Sequence, residues 1–179
     1  MRIISGERRG HKLIEFNGDG IRPTTDRVKE SIFNLIQEYI SDANVLDMFC
    51  GSGALSFEAL SRGAEKATCI DIDKKSIDVI RKNCASLGYE GKCKIINSSC
   101  FDYIKVCKEQ YDLVFLDPPY NKEFIEKSLT EIVKNDIVSP EGIIVLESDS
   151  TDFHSVFESL ELIKQRKYGR TYVTVYKKL

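Results

Sequence analysis

The chain lacks several features that would settle its class early. No apolar run approaches the roughly 20 residues of a membrane helix; the strand-like runs, such as residues 143–146, are short. The start, Met1-Arg2-Ile3-Ile4-Ser5, reads as a strand and has no apolar stretch of a signal-peptide kind, so a cytoplasmic location is expected. Cysteines 50, 69, 84, 93, 100 and 107 form no C-x-x-C pair, and only His11 and His154 could join them as ligands. A zinc site needs clustered ligands, so no metal is expected and the cysteines read as reduced core thiols. Repeats, low-complexity tracts and linkers are missing too. At 179 residues the chain makes one domain, too short for two ordinary ones.

Neither sign of charge dominates, since the net charge is −2. The distribution is uneven, however. Residues 1–12 hold four positive charges and one negative, and residues 161–179 hold six and one. Two basic ends around an acidic middle suit a protein that grips a polyanion, although solvated termini would look the same.

What is present is a regular alternation. Ile3-Ile4 and Leu13-Ile14-Phe16 flank a polar turn between Gly6 and Gly10, which predicts a small amino-terminal hairpin. Thr25 or Asp26 can then cap a helix with the apolar face Val28, Ile32, Leu35, Ile36 and Tyr39. From residue 44 onward, short apolar runs at 45–46, 67–70, 93–96, 113–116 and 143–146 alternate with helical or polar sequence. Such runs mark parallel strands covered on both faces. Leu162-Ile163 and residues 172–176 surround Gly169 and predict a final antiparallel hairpin. The expectation is a single α/β domain. Residues 1–40 form a hairpin-and-helix extension, and residues 41–179 a Rossmann-like core with a seven-stranded, mostly parallel sheet.

Two constellations carry chemistry. The first is Asp47-Met48-Phe49-Cys50-Gly51-Ser52-Gly53-Ala54 at the end of the first parallel strand. Its glycines let the backbone turn sharply and approach a ligand, and ligands of open α/β sheets bind beyond the carboxyl ends of strands. Asp71 ends the second strand, where a carboxylate can accept from ribose hydroxyls. Nicotinamide enzymes use a similar arrangement, but Ser56 stands where the third glycine of G-x-G-x-x-G belongs. Asp47 would also repel a pyrophosphate, while it could hold the cationic amino-acid tail of S-adenosyl-L-methionine.

The second constellation, Asp117-Pro118-Pro119-Tyr120, follows the run 113–116. Two prolines stiffen the turn and remove two donors, leaving carbonyls to accept. An exocyclic amine on an aromatic base is a poor nucleophile because its lone pair is delocalised into the ring. The Asp117 carboxylate and Pro118 carbonyl can accept from its two N–H bonds and favour a pyramidal nitrogen. Tyr120 offers a ring on which the base can stack.

These motifs together resemble the class I methyltransferases that modify amino groups of adenine, cytosine or guanine. The resemblance narrows to the RsmD family. It is carried by Met1-Arg2-Ile3-Ile4-Ser5-Gly6, by Gly10-His11-Lys12-Leu13, and by Arg22-Pro23-Thr24-Thr25-Asp26-Arg27-Val28-Lys29-Glu30-Ser31. Gly51-Ser52-Gly53-Ala54-Leu55, Glu58-Ala59-Leu60-Ser61-Arg62-Gly63-Ala64 and Tyr168-Gly169 extend it over nearly the whole chain. The resemblance implies methylation of guanine N2 in 16S rRNA of the bacterial small subunit, free or within a subunit particle. It implies that Asp47, Gly51 and Gly53 bind the methionine part of S-adenosyl-L-methionine and Asp71 its ribose, with Phe49, Ile72 and Asp117 also in contact with the cofactor. Ser99 and Cys100 would lie against the adenine, and Ser99 is a departure from the acidic residue or Asn common there. Arg22, Thr24 and Arg27 fall in a segment that closes over the methionine end, though on chemistry alone they suit an RNA phosphate equally. Arg2, Arg8, Arg9, Lys12, Arg27, Lys164, Arg166, Lys167 and Arg170 are the candidate nucleic-acid contacts. An adenine-N6 or cytosine-N4 methyltransferase, or a non-catalytic RNA-binding assembly factor of the same fold, remains the alternative.

Overall fold

A computed structural model describes residues 1–15, 25–118, 122–151 and 157–179. After helix α1 (Asp26–Leu35), strands and helices alternate: β1 (Asn44–Asp47), α2 (Ala54–Ser61), β2 (Lys66–Asp71), α3 (Lys74–Leu87), β3 (Cys93–Asn97), α4 (Cys100–Val106), β4 (Tyr111–Leu116), α5 (Lys122–Lys134) and β5 (Val138–Ser148). The chain closes with β6 (Leu160–Tyr168) and β7 (Thr171–Lys178). All seven strands form one sheet in the order β3-β2-β1-β4-β5-β7-β6. The first five run parallel; β7 is antiparallel to β5 and β6 antiparallel to β7.

The continuous apolar runs have a physical cause. Successive strand residues point to opposite faces, and both faces here are covered. Val45, Leu113, Phe115, Ile143 and Val145 pack with α1, α2 and α3 in one cluster. Leu46, Val114, Leu116, Ile144 and Leu146 pack with α4 and α5 in the other. No strand in the sheet's centre can therefore show polar alternation. The expected cap forms at α1, where Thr25 accepts from the Val28 amide at 3.3 Å; Asp73 caps α3 in the same way, accepting from the Ser76 amide at 3.0 Å.

The amino-terminal hairpin is shorter than its pattern suggests. Among the described residues of this segment, only Arg2 and Lys12 pair as strand residues. Across it the Ile3 and Leu13 amides donate to the His11 and Met1 carbonyls at 2.9 and 3.1 Å, and donors on its outer edges go to helix side chains. The Ile4 and Ser5 amides donate to the Glu58 carboxylate at 2.8 and 3.0 Å, and the Ile14 amide donates to Asn83 at 2.8 Å. Gly6, with φ +85°, lies so close to α2 that a Cβ would fall 1.7 Å from the Ser61 carbonyl oxygen. The segment is thus a hook laid along α2 and α3.

Candidate active site

Strand order reverses between β1 and β4, which are hydrogen-bonded neighbours with successors on opposite sides. Both constellations leave the sheet at this switch point, where ligands of open α/β sheets bind. The loop after β1 turns through Gly51 and Gly53, both left-handed at φ +52° and +80°. Gly53 is also sterically required, because a Cβ would meet Phe57 at 2.5 Å and Ile80 at 2.7 Å. Nothing lies within 4 Å of a Cβ at Gly51, so that side of the loop is open to a ligand.

Asp71 ties the next loop to this one. One carboxylate oxygen accepts from the Gly51 amide and the other from the Asp73 amide, each at 2.9 Å. Burial pushes this carboxyl above its ordinary range, and those amide bonds pull it back. The group is half-buried, and each oxygen has a second lone pair for a hydroxyl. Beside it Ile72 is 73% exposed, an apolar side chain held out at the strand's end. A diol next to an aromatic ring meets matching chemistry here: carboxylate acceptors, then an apolar surface. Asp71 and Ile72 therefore fit the adenosine part of S-adenosylmethionine, and the open glycine turn leaves room for the rest of it.

Asp47 behaves differently from a surface carboxylate. It is buried at 2% exposure and accepts from the Ser56 hydroxyl at 2.7 Å. Burial pushes its pKa up to about 7, with the Ser56 bond working the other way. Ser99 precedes α4 without a side-chain cap bond, and Cys100 is buried with its thiol pushed up to about 11 by burial. Burial thus keeps the Cys100 thiol protonated, in keeping with a packing role. Phe49 stacks obliquely on Phe124, which in turn meets Phe101 edge-on, with centroids 5.6 and 5.2 Å apart.

Asp117 follows β4, half-buried, and Pro118 beside it is buried. Pro119 and Tyr120 lie outside the described residues, as do Arg22 and Thr24. Two asparagines were not foreseen. Asn83 donates to the Ser52 and Ile14 carbonyls at 3.0 and 2.9 Å, joining the glycine loop to the hook. Asn97 donates to the Asp71 and Ile72 carbonyls, both at 3.0 Å. The only signal for Asn83 was a polar residue within the apolar stripe of Ile80, Cys84 and Leu87 on α3; Asn97 left none.

The basic candidates separate. Arg8 and Arg9 sit on the exposed turn of the hook; the Arg8 amide bonds Ser61 at 3.0 Å, and its guanidinium lies 5.6 Å from the Tyr89 ring centroid. Ser61 ends α2 and Tyr89 precedes β3, so this turn is at the amino ends of the strands, away from Asp117. Lys164 is engaged internally, donating to the Leu35 carbonyl at 2.7 Å and pairing with Glu38 at 3.2 Å. Arg2 pairs with Asp26 at 3.6 Å, while Lys12 and Arg27 are exposed. Arg166, Lys167 and Arg170 are exposed near the β6–β7 turn. All six cysteines are free thiols, with the Cys69 and Cys93 sulfurs 3.5 Å apart. Among the described residues no cluster of three His, Cys, Asp or Glu side chains could hold a metal, and no helix is long and apolar enough to cross a membrane.

This fold and the two loops at its switch point define a class I S-adenosylmethionine-dependent methyltransferase. The family model described as "Conserved hypothetical protein 95" matches residues 1–177, and the chain belongs to this family, that of RsmD. Ribosomal RNA small subunit methyltransferase D of Haemophilus influenzae is 38% identical over 172 residues, covering 94% of this chain and 89% of that protein. The Escherichia coli protein of the same name is 39% identical over 149 residues, covering 83% and 75%. The solved structure of the Escherichia coli protein yhhF superposes with a TM-score of 0.90 at 35% identity, covering 99% of this chain and 97% of that one.

Proposed function

We propose that the protein methylates the N2 amino group of a guanine in 16S rRNA of the small ribosomal subunit. The observation that carries this reading is the placement of Asp117 and Pro118 at the switch point, one strand from the glycine loop. Bound S-adenosylmethionine supplies an electrophilic sulfonium methyl. The chain's part is to hold the amine in line with it, and such positioning accounts for several kcal/mol of a barrier. The Asp117 carboxylate accepts from one N–H and the Pro118 carbonyl from the other, turning the nitrogen lone pair outward. Pro118 is buried, which keeps that carbonyl from yielding. Tyr120 stacks on the base once it has left its helix, and unpaired loops are where that departure costs least. The methylated nitrogen is formed as a cation, which is acidic and loses its proton to Asp117 or water, so no tuned base is needed.

Asp71 accepts from the ribose hydroxyls, Ile72 and the Ser99–Cys100 corner flank the adenine, and the loop 47–53 cradles the methionine end. Arg22, Thr24 and Arg27 cover that end or meet RNA phosphate. The test is transfer of labelled methyl to small-subunit rRNA from a strain lacking the enzyme, followed by nucleoside analysis. N2-methylguanosine is expected; N6-methyladenosine or N4-methylcytidine would overturn the assignment of the base.

A further inference from the structure

We infer that the tip of the β6–β7 hairpin is the surface that holds the RNA backbone beside the target base, with Arg166, Lys167 and Arg170 against phosphates. The inference rests on the RNA reading above and on strand direction. β5 runs parallel to β4, so its end at Ser148 lies at the same side of the sheet as Asp117. β7 starts opposite that end, with Tyr172 paired to Ser148, and runs back. β6 runs up again and reaches its turn at Gly169-Arg170, closed by the pair Tyr168 and Thr171. Gly169 is left-handed at φ +62°, as a two-residue hairpin turn requires. The second antiparallel reversal thus returns the chain to the carboxyl edge where the site lies.

The tip's charge is of one sign. From Leu162 to Leu179 the chain has no Asp or Glu. Arg166, Lys167 and Arg170 are exposed; Lys167 lies 4.9 Å from the Tyr172 ring centroid, and Arg166 donates to the neighbouring Gln165 carbonyl at 2.8 Å. Among the described residues, the facing β5 end offers one exposed carboxylate, Asp149. Lys164, two residues further back, is spent on Glu38 and Leu35. Arg8 and Arg9 stand at the opposite end of the strands, about 20 Å away for a strand of six residues at roughly 3.3 Å each. Net charge near zero therefore conceals a basic rim on the side that meets the substrate. Charges on an edge strand also discourage sheet pairing, and that role alone would leave RNA affinity unmoved.

The test compares the full-length protein with R166A/K167A/R170A and with K92A/K108A/K134A. The second variant removes the same charge from exposed lysines at the strands' amino ends. Binding to small-subunit particles from a strain lacking the enzyme is followed across salt, with cofactor affinity by calorimetry. The tip variant should lose tenfold or more in RNA affinity and flatten the log–log salt slope by about 0.7–0.9 per lost contact, with cofactor affinity unchanged. The control should stay within threefold of wild type. Arg170→Ala alone, an exposed turn residue, should lose a measurable part of the affinity and guards against misfolding of the triple variant. A tip variant with wild-type affinity and slope, or a control that loses as much, overturns the inference. Wild-type protein that neither binds nor methylates these particles overturns the functional reading itself, and this inference with it.

Discussion

Lys29 of α1 and Glu58 of α2 form an ion pair, Nζ to Oε2 at 3.3 Å, with both side chains fully buried. Burial pushes the Lys29 ammonium below its ordinary range while Glu58 holds it up. Glu58 also accepts from Arg62 at 2.7 Å and from the Ile4 and Ser5 amides, and Lys29 donates to the Arg2 carbonyl. One carboxylate thus binds the hook, α1 and α2 into a single layer.

Removing one partner of a buried pair leaves the other uncompensated. Glu58→Ala is expected to destabilise the fold by about 3–5 kcal/mol, more than Lys29→Met, because it also orphans two amides. Urea unfolding of both variants measures this. Equal, small losses would mean that the pair contributes little beyond packing.

Asp47 predicts a pH dependence. Its folded pKa, about 7, is raised above the ordinary 3.8. Between those values the unfolded chain has lost this proton and the folded one has kept it, so this group's contribution to stability falls as pH rises from about 4 to 7, then levels off. Asp47→Asn should remove that slope, giving a variant that gains on wild type between pH 5 and pH 8 in denaturant titrations. A cationic cofactor tail nearby should favour the ionised form, so binding at pH 6.5 should release protons, read from calorimetry in buffers of different ionisation enthalpy.

Asp71→Ala should weaken S-adenosylmethionine binding by roughly 1.5–3 kcal/mol, the scale of hydrogen bonds to a charged group. The Gly51 and Asp73 amides lose their acceptor as well, so thermal melting should fall slightly. Unchanged cofactor affinity by calorimetry would remove Asp71 from the site.

Asp117 and Tyr120 should fail differently. Asp117→Ala should cut single-turnover methyl transfer by orders of magnitude, as expected for an interaction strongest in the transition state. Cofactor affinity measured in the same variant separates that role from cofactor binding. Tyr120→Phe keeps the ring and should retain most activity, whereas Tyr120→Ala should lose roughly 1–3 kcal/mol through capture of the flipped base. Equal damage from both would place the work in the hydroxyl.

The sequence by itself determined the element order, because apolar runs, caps and turn glycines are local signals; α1 begins at Asp26, behind the expected Thr25 cap. It also presented the glycine loop and the Asp117-Pro118 turn, whose chemistry depends on adjacent residues. Tertiary structure decided what depends on distant ones. It limited the hairpin's strand pairing to Arg2 and Lys12, docked its outward donors on Glu58 and Asn83, and buried Asp47 against Ser56. It made Asn83 and Asn97 loop anchors, roles set by carbonyls dozens of residues away. It also divided the basic ends, because the hook carries Arg8 and Arg9 to one end of the sheet while two antiparallel reversals bring Arg166, Lys167 and Arg170 to the other. Charge is read along the chain, but the field a substrate meets depends on which end of a strand each charge occupies.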